Sequence, residues 1–537
     1  MGRIPKPSQK GTSMKEVCEV MFINLPMSRE MMEKTGRTEL IAENLGLAYL
    51  TACLRKSGAR VKILDAIAQG WTTGEILAQV ISSKPRLVGL PIFQSTRKDV
   101  LAFSRQIKEK LPGTTVILGG QLARQAARDL LKYEGVDLLC TGEGEEIIGD
   151  VLAALDHKDY RHIPGIAWKD GDGIQVNPPA PFITELEALP WPARDTLAAV
   201  LHRGGVARIV TSRGCPRRCA FCSVHRFLDS SLVARWRARP VAAVMEEIEF
   251  LRANYGVGMI AFNEDNFFGS GPAGYARAEE LAQSLIRKGW GIKFAIACRA
   301  DDVALDRFRL LKEAGLIAIE VGIESGAKSA LHRWAKGISV KRNYEALQIA
   351  DQLGLSTNPG FIMFDAHTTL DELQENRAFI RRCSAFKEIF YKFEQRLASR
   401  LIPYAGTPIR ERYRHESLLH SDELHSEAYD DYSFCDPTIH EIYQIMNLWE
   451  TVSAPLRRLG WQMGGGSKSP ESSLASRGLL KDLMELSLGV LEETLLSSKG
   501  SGDSGNPKGA YPWSPRFSAA LMTLTKSAVA SLPDDRS

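Results

Sequence analysis

The chain has 537 residues, 44% of them apolar and 25% charged, which is room for about three domains and excludes a wholly disordered or fibrous protein. Lys and Arg number 68 against 64 Asp and Glu, a net charge of +4. So small a bias gives no electrostatic case for nucleic acid or an acidic membrane as partner.

No apolar run approaches the roughly 20 residues that span a bilayer. The opening MGRIPKPSQKGTSMKE has no secretory apolar core, and Pro5 and Lys6 stand where an acylation signal wants a small hydroxyl residue. Beyond this tail (residues 1–17), residues 18–150 alternate strands (CEVMFINLP, ARVKILDA, PRLVGLPI, TTVILGG, VDLLCTGEGE) with helices such as GLAYLTACLRKSG and RKDVLAFSRQIKEKL. Strands spaced by helices of about a dozen residues predict a doubly wound, Rossmann-like parallel sheet, whose ligands lie outside the carboxyl strand ends. Those ends carry Asn24 to Pro26, Asp65-Ala66, Pro91 to Thr96, Gly119-Gly120 and Gly142 to Glu145. No G-x-G-x-x-G follows the first strand, so the dinucleotide fingerprint is absent.

Residues 151–205 read as a linker with one strand-like piece, IPGIAWKDGDG, whose Asp-Gly marks a turn, followed by the Pro-rich NPPAPFITELEALPWPARD. From 206 the strand–helix alternation resumes, with strands ARIVTSR, GMIAFNED, KFAIACRAD, AIEVGIES, TNPGFIMFD and FYKFEQRLAS. This predicts a partial (β/α)6 TIM-type barrel, with its chemistry at the carboxyl strand ends. Residues 411–537 read as mostly helical: HEIYQIMNLWETVSAPLRRLGW and LLKDLMELSLGVLEETLL have helical apolar spacing. Two Gly/Ser-rich stretches, QMGGGSKSPESSLASRG and SSKGSGDSGNPKG, are expected to be flexible. Tyr429, Tyr432, Phe434, Tyr443 and Trp449 are expected in the core more than at a pocket.

The cysteines number nine, an odd count, and all but Cys215, Cys219 and Cys222 are scattered. That is no disulfide framework and suits a reducing cytoplasm. TSRGCPRRCAFCSVHRF places the three clustered cysteines at C-x3-C-x2-C, directly after the first barrel strand. A loop free of helical or strand pitch can wrap three thiolates around one iron–sulfur cluster, leaving one iron open for substrate chemistry. The competing reading is a zinc knot of Cys215, Cys219, Cys222 and His225, stapling a binding protein without turnover. Cys298, Cys383 and Cys435 read as small buried hydrophobes before they read as hydrogen-atom donors.

CPRRCAFC, with Phe221 before its last cysteine, resembles the radical S-adenosylmethionine superfamily, and WRARPVAAVMEEIEFL, FNEDNFF, KEAGLIAIEVGIESG, NPGFIMFD and PYAGTP resemble its successive landmarks over residues 206–410. The resemblance implies that Cys215, Cys219 and Cys222 hold a 4Fe-4S cluster, that S-adenosylmethionine chelates the open iron, and that one electron cleaves it to a 5′-deoxyadenosyl radical. It further implies Glu264, in Asn263-Glu264-Asp265, near the methionine amine, Arg299 at its carboxylate and Glu324 at the ribose. For each of these the alternative is an ordinary strand-end salt bridge.

Residues 18–150 resemble the cobalamin-binding domain that precedes some radical S-adenosylmethionine barrels, through NLGLAYLTACLRKSGARVKILDA, VGLPIFQST, VILGGQLA and CTGEGEE. Implied contacts come from Phe93, Gln94, Ser95, Thr96, Gly119 and Gly120. The Asp-x-His-x-x-Gly element of some cobalamin proteins is missing, so no histidine is expected below the cobalt; a domain that has lost cobalamin is the alternative. Together the resemblances imply a methylcobalamin-dependent C-methyltransferase acting on an unactivated carbon in secondary metabolism such as antibiotic biosynthesis. Its implied partners are a small-molecule substrate and an electron donor such as flavodoxin or ferredoxin. A cyclisation or ring rearrangement without net methyl transfer is the alternative.

Overall fold

The structure, a computed structural model, describes residues 18–26, 41–171, 173–224, 236–269, 271–383, 397–424, 426–465, 470–500 and 515–530. The first sheet has the order β2-β1-β3-β4-β5-β6-β7: β1 Val20–Asn24, β2 Val61–Asp65, β3 Leu87–Pro91, β4 Thr115–Gly119, β5 Leu138–Cys140, β6 Ile166–Asp170 and β7 Gly173–Val176. The first five strands run parallel, and their near-continuous apolar runs are what a sheet covered on both faces requires. Met21, Ile23 and Leu64 pack into the core on one face; Val20, Phe22 and Ile117 pack on the other. Strand order reverses between β1 and β3, so the switch-point crevice opens beside Pro91.

The segment 151–205 does more than connect. Its Asp-Gly piece folds into the hairpin β6–β7, which extends the sheet antiparallel from β5.

The second sheet is parallel, in the order β14-β13-β12-β11-β8: β8 Ala207–Ile209, β11 Met259–Phe262, β12 Lys293–Arg299, β13 Leu316–Glu324 and β14 Ser356–Phe361. Helices Val241–Tyr255, Pro272–Lys288, Leu305–Glu313, Val340–Gln352 and Leu370–Arg382 connect and cover these strands. The sixth expected strand, FYKFEQRLAS, lies mostly outside the described residues; beyond it Arg400 bridges Phe364 in parallel. The expected first strand ARIVTSR is broken. After β8 the chain leaves the barrel, and β9 Ser212–Gly214 pairs antiparallel with β10 Trp236–Ala238. The break falls at Thr211, whose carbonyl accepts the Arg239 N–H at 2.8 Å and whose own N–H donates to the Glu264 carboxylate at 3.0 Å, in place of ladder bonds.

Three helices, Pro437–Gly465, Pro470–Gly500 and Pro515–Ala530, end the described chain. The Gly/Ser-rich QMGGGSKSPESSLASRG falls at the junction of the first two: residues 466–469 lie outside the described residues, and the rest is helical. Pro470 opens the second helix, where its missing N–H costs nothing. Outside that stretch the first two of these helices pack on each other: Trp449 is buried and donates from Nε1 to Ser487 Oγ at 2.8 Å. Of SSKGSGDSGNPKG, residues 497–500 are helical and the remainder lies outside the described residues. Tyr429, Tyr432, Phe434 and Trp449 are buried core, and Tyr443 packs against them.

Candidate functional site

The β9–β10 ribbon frames the loop that carries the three clustered cysteines. Cys219 is buried, and Cys215 and Cys222 are partly so. Backbone contacts hold the loop to the barrel and to the C-terminal region: Ala220 N–H donates to Trp334 O at 2.8 Å, and Ala220 O accepts from Ile409 N–H at 3.1 Å. The Phe221 ring stands edge-on to Trp334 at 6.1 Å. Burial pushes the Cys222 thiol up to about 12 and raises Cys215, and the neighbouring Cys219 raises both. Arg299, from the end of β12, donates to Cys219 Sγ at 3.5 Å.

Three soft donors on one short loop, with a guanidinium against one of them, suit an anionic iron–sulfur cluster. Among the described residues no three Cys, His, Asp or Glu side chains converge as a single metal ion requires. His225, the fourth ligand of the zinc alternative, lies outside them.

The expected strand-end residues surround this loop. Glu264 accepts from Thr211 N–H and Oγ, while its second oxygen is buried without a partner. Burial pushes its carboxyl up to about 7, against the pull of Thr211 and Arg277. A buried, half-satisfied carboxyl at the cleft wall fits a ligand ammonium. Asp265 accepts the Gly214 N–H at 3.2 Å, and burial raises its pKa also. Arg299 is already engaged by Asp301 Oδ1 at 2.9 Å and Lys336 O at 2.7 Å besides Cys219. It therefore sits at the cysteine loop, not free at the expected carboxylate position. Glu324 stands at φ 65 where β13 meets a bulge, paired to Lys336 Nζ at 2.7 Å. Gly322 and Gly360 flank it, where a Cβ would meet the carboxylate at 2.8 and 3.4 Å.

A cleft of about 550 Å³ joins this region to the carboxyl ends of the first sheet. Phe93, Gly119 and Gly120 line it from one side, and Ser212, Gly214, Glu264 and Asp265 from the other. Its floor is glycine-rich, with Gly89, Gly142 and Gly144 also present. At Gly120 (φ +106) a Cβ would lie 3.1 Å from Ile92 O, and at Gly144 one would lie 3.0 Å from Leu50. A mostly apolar cleft whose floor is bare glycine backbone suits a broad, flat ligand that approaches closely. No histidine is among its lining residues.

Not all expected contacts point here. Gln94 is turned away: its amide nitrogen donates to Asp430, and its oxygen accepts Ala405 N–H at 3.3 Å. Thr96 Oγ1 accepts the Phe93 N–H at 3.2 Å, capping its own turn, and neither Ser95 nor Thr96 lines the cleft. Cys298 and Cys383 are buried core, whereas Cys435 is exposed, contrary to its expected burial.

Sequence reasoning missed the charges that join the two sheets. In Gly142-Glu143-Gly144-Glu145, Glu143 meets both Arg213 (3.1 Å) and Arg237 (2.8 Å), and Glu145 meets Arg213 at 2.6 Å. The two arginines hold the Glu143 carboxyl below its ordinary range despite burial. Behind them Arg194 bridges Glu43 (2.5 Å) and Glu247 (2.8 Å), and Arg239 pairs with Glu247 as well. The detectable signal was two carboxylates on a buried strand end, which demand cations from elsewhere.

Comparison with known proteins adds to this geometry. Residues 209–380 match the family model described as the Radical SAM superfamily, and residues 35–152 match the B12 binding domain. An uncharacterized methyltransferase of Pyrococcus horikoshii is 26% identical over 374 residues, 68% of this chain and 78% of that protein. An anaerobic magnesium-protoporphyrin IX monomethyl ester cyclase of Synechocystis is 28% identical over 357 residues, 65% of this chain and 68% of that protein. The fold is also that of the cobalamin-dependent S-adenosylmethionine radical enzyme OxsB, solved with aqua-cobalamin and S-adenosylmethionine bound. That likeness has a TM-score of 0.77 at 20% identity and covers 96% of this chain and 81% of that one.

Proposed function

We propose, for a chain that belongs to the cobalamin-dependent radical S-adenosylmethionine enzymes, transfer of a methyl group to an unactivated carbon of a small molecule. One observation carries the proposal: Gly214 and Val224, on either side of the three clustered cysteines, line the same cleft as the glycine-floored ends of the first sheet. The chemistry such groups supply when bound is one-electron reduction at the cluster and S-adenosylmethionine, and methyl transfer at cobalt.

The chain's own residues bind and orient. Cys215, Cys219 and Cys222 hold the cluster, with Arg299 offsetting negative charge at Cys219. The free oxygen of Glu264 accepts the methionine ammonium, and Glu324, held by Lys336, faces the ribose. Phe93, Gly119 and Gly120 bear on the corrin. The Arg213 and Arg237 pairs with Glu143 and Glu145 keep the two halves of the cleft together and water out of their seam. We assign residues 18–150 to cobalamin, 151–205 to the link, 206–410 to the radical core and 411–537 to covering the substrate.

A flavodoxin or ferredoxin supplies the electron, and the cytoplasm is the compartment; nucleic acid and membrane take no part. In support, the net charge is small, and no described helix is long and apolar enough to cross a membrane.

The test is anaerobic reconstitution with candidate metabolites and methyl-labelled S-adenosylmethionine. Methyl transfer yields labelled product, 5′-deoxyadenosine and S-adenosylhomocysteine. The similarity to the Synechocystis cyclase favours a second reading, oxidative cyclisation. Product with 5′-deoxyadenosine but no S-adenosylhomocysteine selects that reading and overturns the first.

A further inference from the structure

The barrel interior is lined in an unusual way. Bulky branched side chains ordinarily fill the inside of such a barrel. Here most residues that alternate with the buried ones are small or polar and reached by solvent. On β12, Phe294, Ile296 and Cys298 are buried, while Ala295 and Ala297 between them are partly exposed. On β13 the same alternation leaves Ala318 and Gly322 partly exposed and Glu320 exposed. On β14 it leaves Ser356, Asn358 and Gly360.

The register stacks these residues in layers. Arg208 on β8 aligns with Ala261, then Ala295, Ala318 and Ser356; Ala297, Glu320 and Asn358 form the next layer. Four alanines across two layers leave the barrel side of the sheet, the chamber, partly exposed where a packed core would be expected. Arg208 is the cation of the lower layer. It alternates with the fully buried Ala207 and Ile209, so its side chain enters the chamber. Among the described residues its guanidinium makes no hydrogen bond and no ion pair within 4 Å. Burial pulls its pKa down, and the charge of Glu320 opposes that pull. Glu320 lies on β13, with β11 and β12 between it and β8, and its charge still reaches Arg208.

We propose that Arg208 seats the anionic head group, a carboxylate or a phosphate, of the small-molecule substrate inside the barrel, opposite Glu320 and near Asn358. The inference rests on the proposed function and names its substrate class: a small anionic metabolite. Arg208 lies three residues before Thr211, which holds Glu264, so the head group sits roughly 10 Å below the mouth. That spacing suits a compact molecule whose reacting carbon stands at the mouth.

The experiment is ligand-observed NMR of methyl phosphate and of acetate with the anaerobically reconstituted holoenzyme. At least one probe binds, and the tighter of the two identifies the head group. Arg208→Gln weakens that probe roughly tenfold or more, the size of one lost charged hydrogen bond, and Arg208→Lys falls between. Glu320→Gln strengthens it, because a like charge leaves the chamber. Iron content and melting temperature check folding, and if Arg208→Gln does not fold, the gain in Glu320→Gln decides. Failure of both probes to bind the wild type, an unchanged affinity in Arg208→Gln, or no gain in Glu320→Gln overturns the proposal. The readout is anion binding, so it stands or falls separately from the formation of S-adenosylhomocysteine.

Discussion

Arg237 and Glu143 meet through two hydrogen bonds, Nη1 to Oε2 at 2.8 Å and Nη2 to Oε1 at 2.9 Å, both buried. They stand 94 residues apart, one on the ribbon beside the cysteine loop and the other at the end of the first sheet. A paired, planar contact of this kind fixes both distance and angle between the two parts of the cleft.

Breaking it leaves the buried Glu143 with Arg213 alone. Arg237→Ala is expected to cost about 1.5–3 kcal/mol, the range for a hydrogen bond to a charged group, seen as a lower denaturation midpoint. Glu143 has a lowered pKa in the folded chain. Its contribution is therefore present above the ordinary carboxylate pKa and lost as pH falls through the lowered value. Glu143→Gln should flatten the acid limb of the stability curve. A variant that keeps the full acid sensitivity would count against this assignment.

Glu264 has the opposite sign. Its folded pKa is raised to about 7 from 4.5. Stability in the absence of ligand is thus full below the ordinary value and declines as pH rises through about 7. Glu264→Gln should remove that decline and weaken S-adenosylmethionine binding by calorimetry. An unchanged affinity would remove Glu264 from the binding site.

Replacing Cys215, Cys219 or Cys222 with Ser should abolish iron retention after anaerobic reconstitution, together with the broad visible absorption of an iron–sulfur cluster. Cys298→Ser and Cys383→Ser, in the core, should keep their iron. Iron at wild-type levels in any of the first three would overturn the ligand assignment.

Gly120→Ala adds a Cβ at φ +106, 3.1 Å from Ile92 O. The backbone strain is about 1–2 kcal/mol, and the cradle narrows. Bound cobalamin per chain, read by absorbance, should fall. Gly113→Ala, where nothing lies within 4 Å, is the control. Equal cobalamin in both variants would place the corrin elsewhere.

Most of the alternating elements could be read from the chain, because burial on both faces forces apolar runs in strands and helical spacing between them. The Gly/Ser-rich stretch at 462–478 reads as a linker by composition, yet its described residues are helical, because composition reports propensity alone. Gln94 looked like a cofactor contact from its place after β3, yet it pairs with Asp430, 336 residues away.

What the sequence by itself determined is the cysteine loop. Three thiols within eight residues must share one neighbourhood whatever the fold does. Which charges meet was decided only by the tertiary structure. Arg237 with Glu143 and Arg299 with Cys219 depend on how one sheet curves and where the other docks. The physical reason is range: periodicity reports whether a side chain is buried, but the partner of a buried charge comes from a distant strand that no local pattern can name.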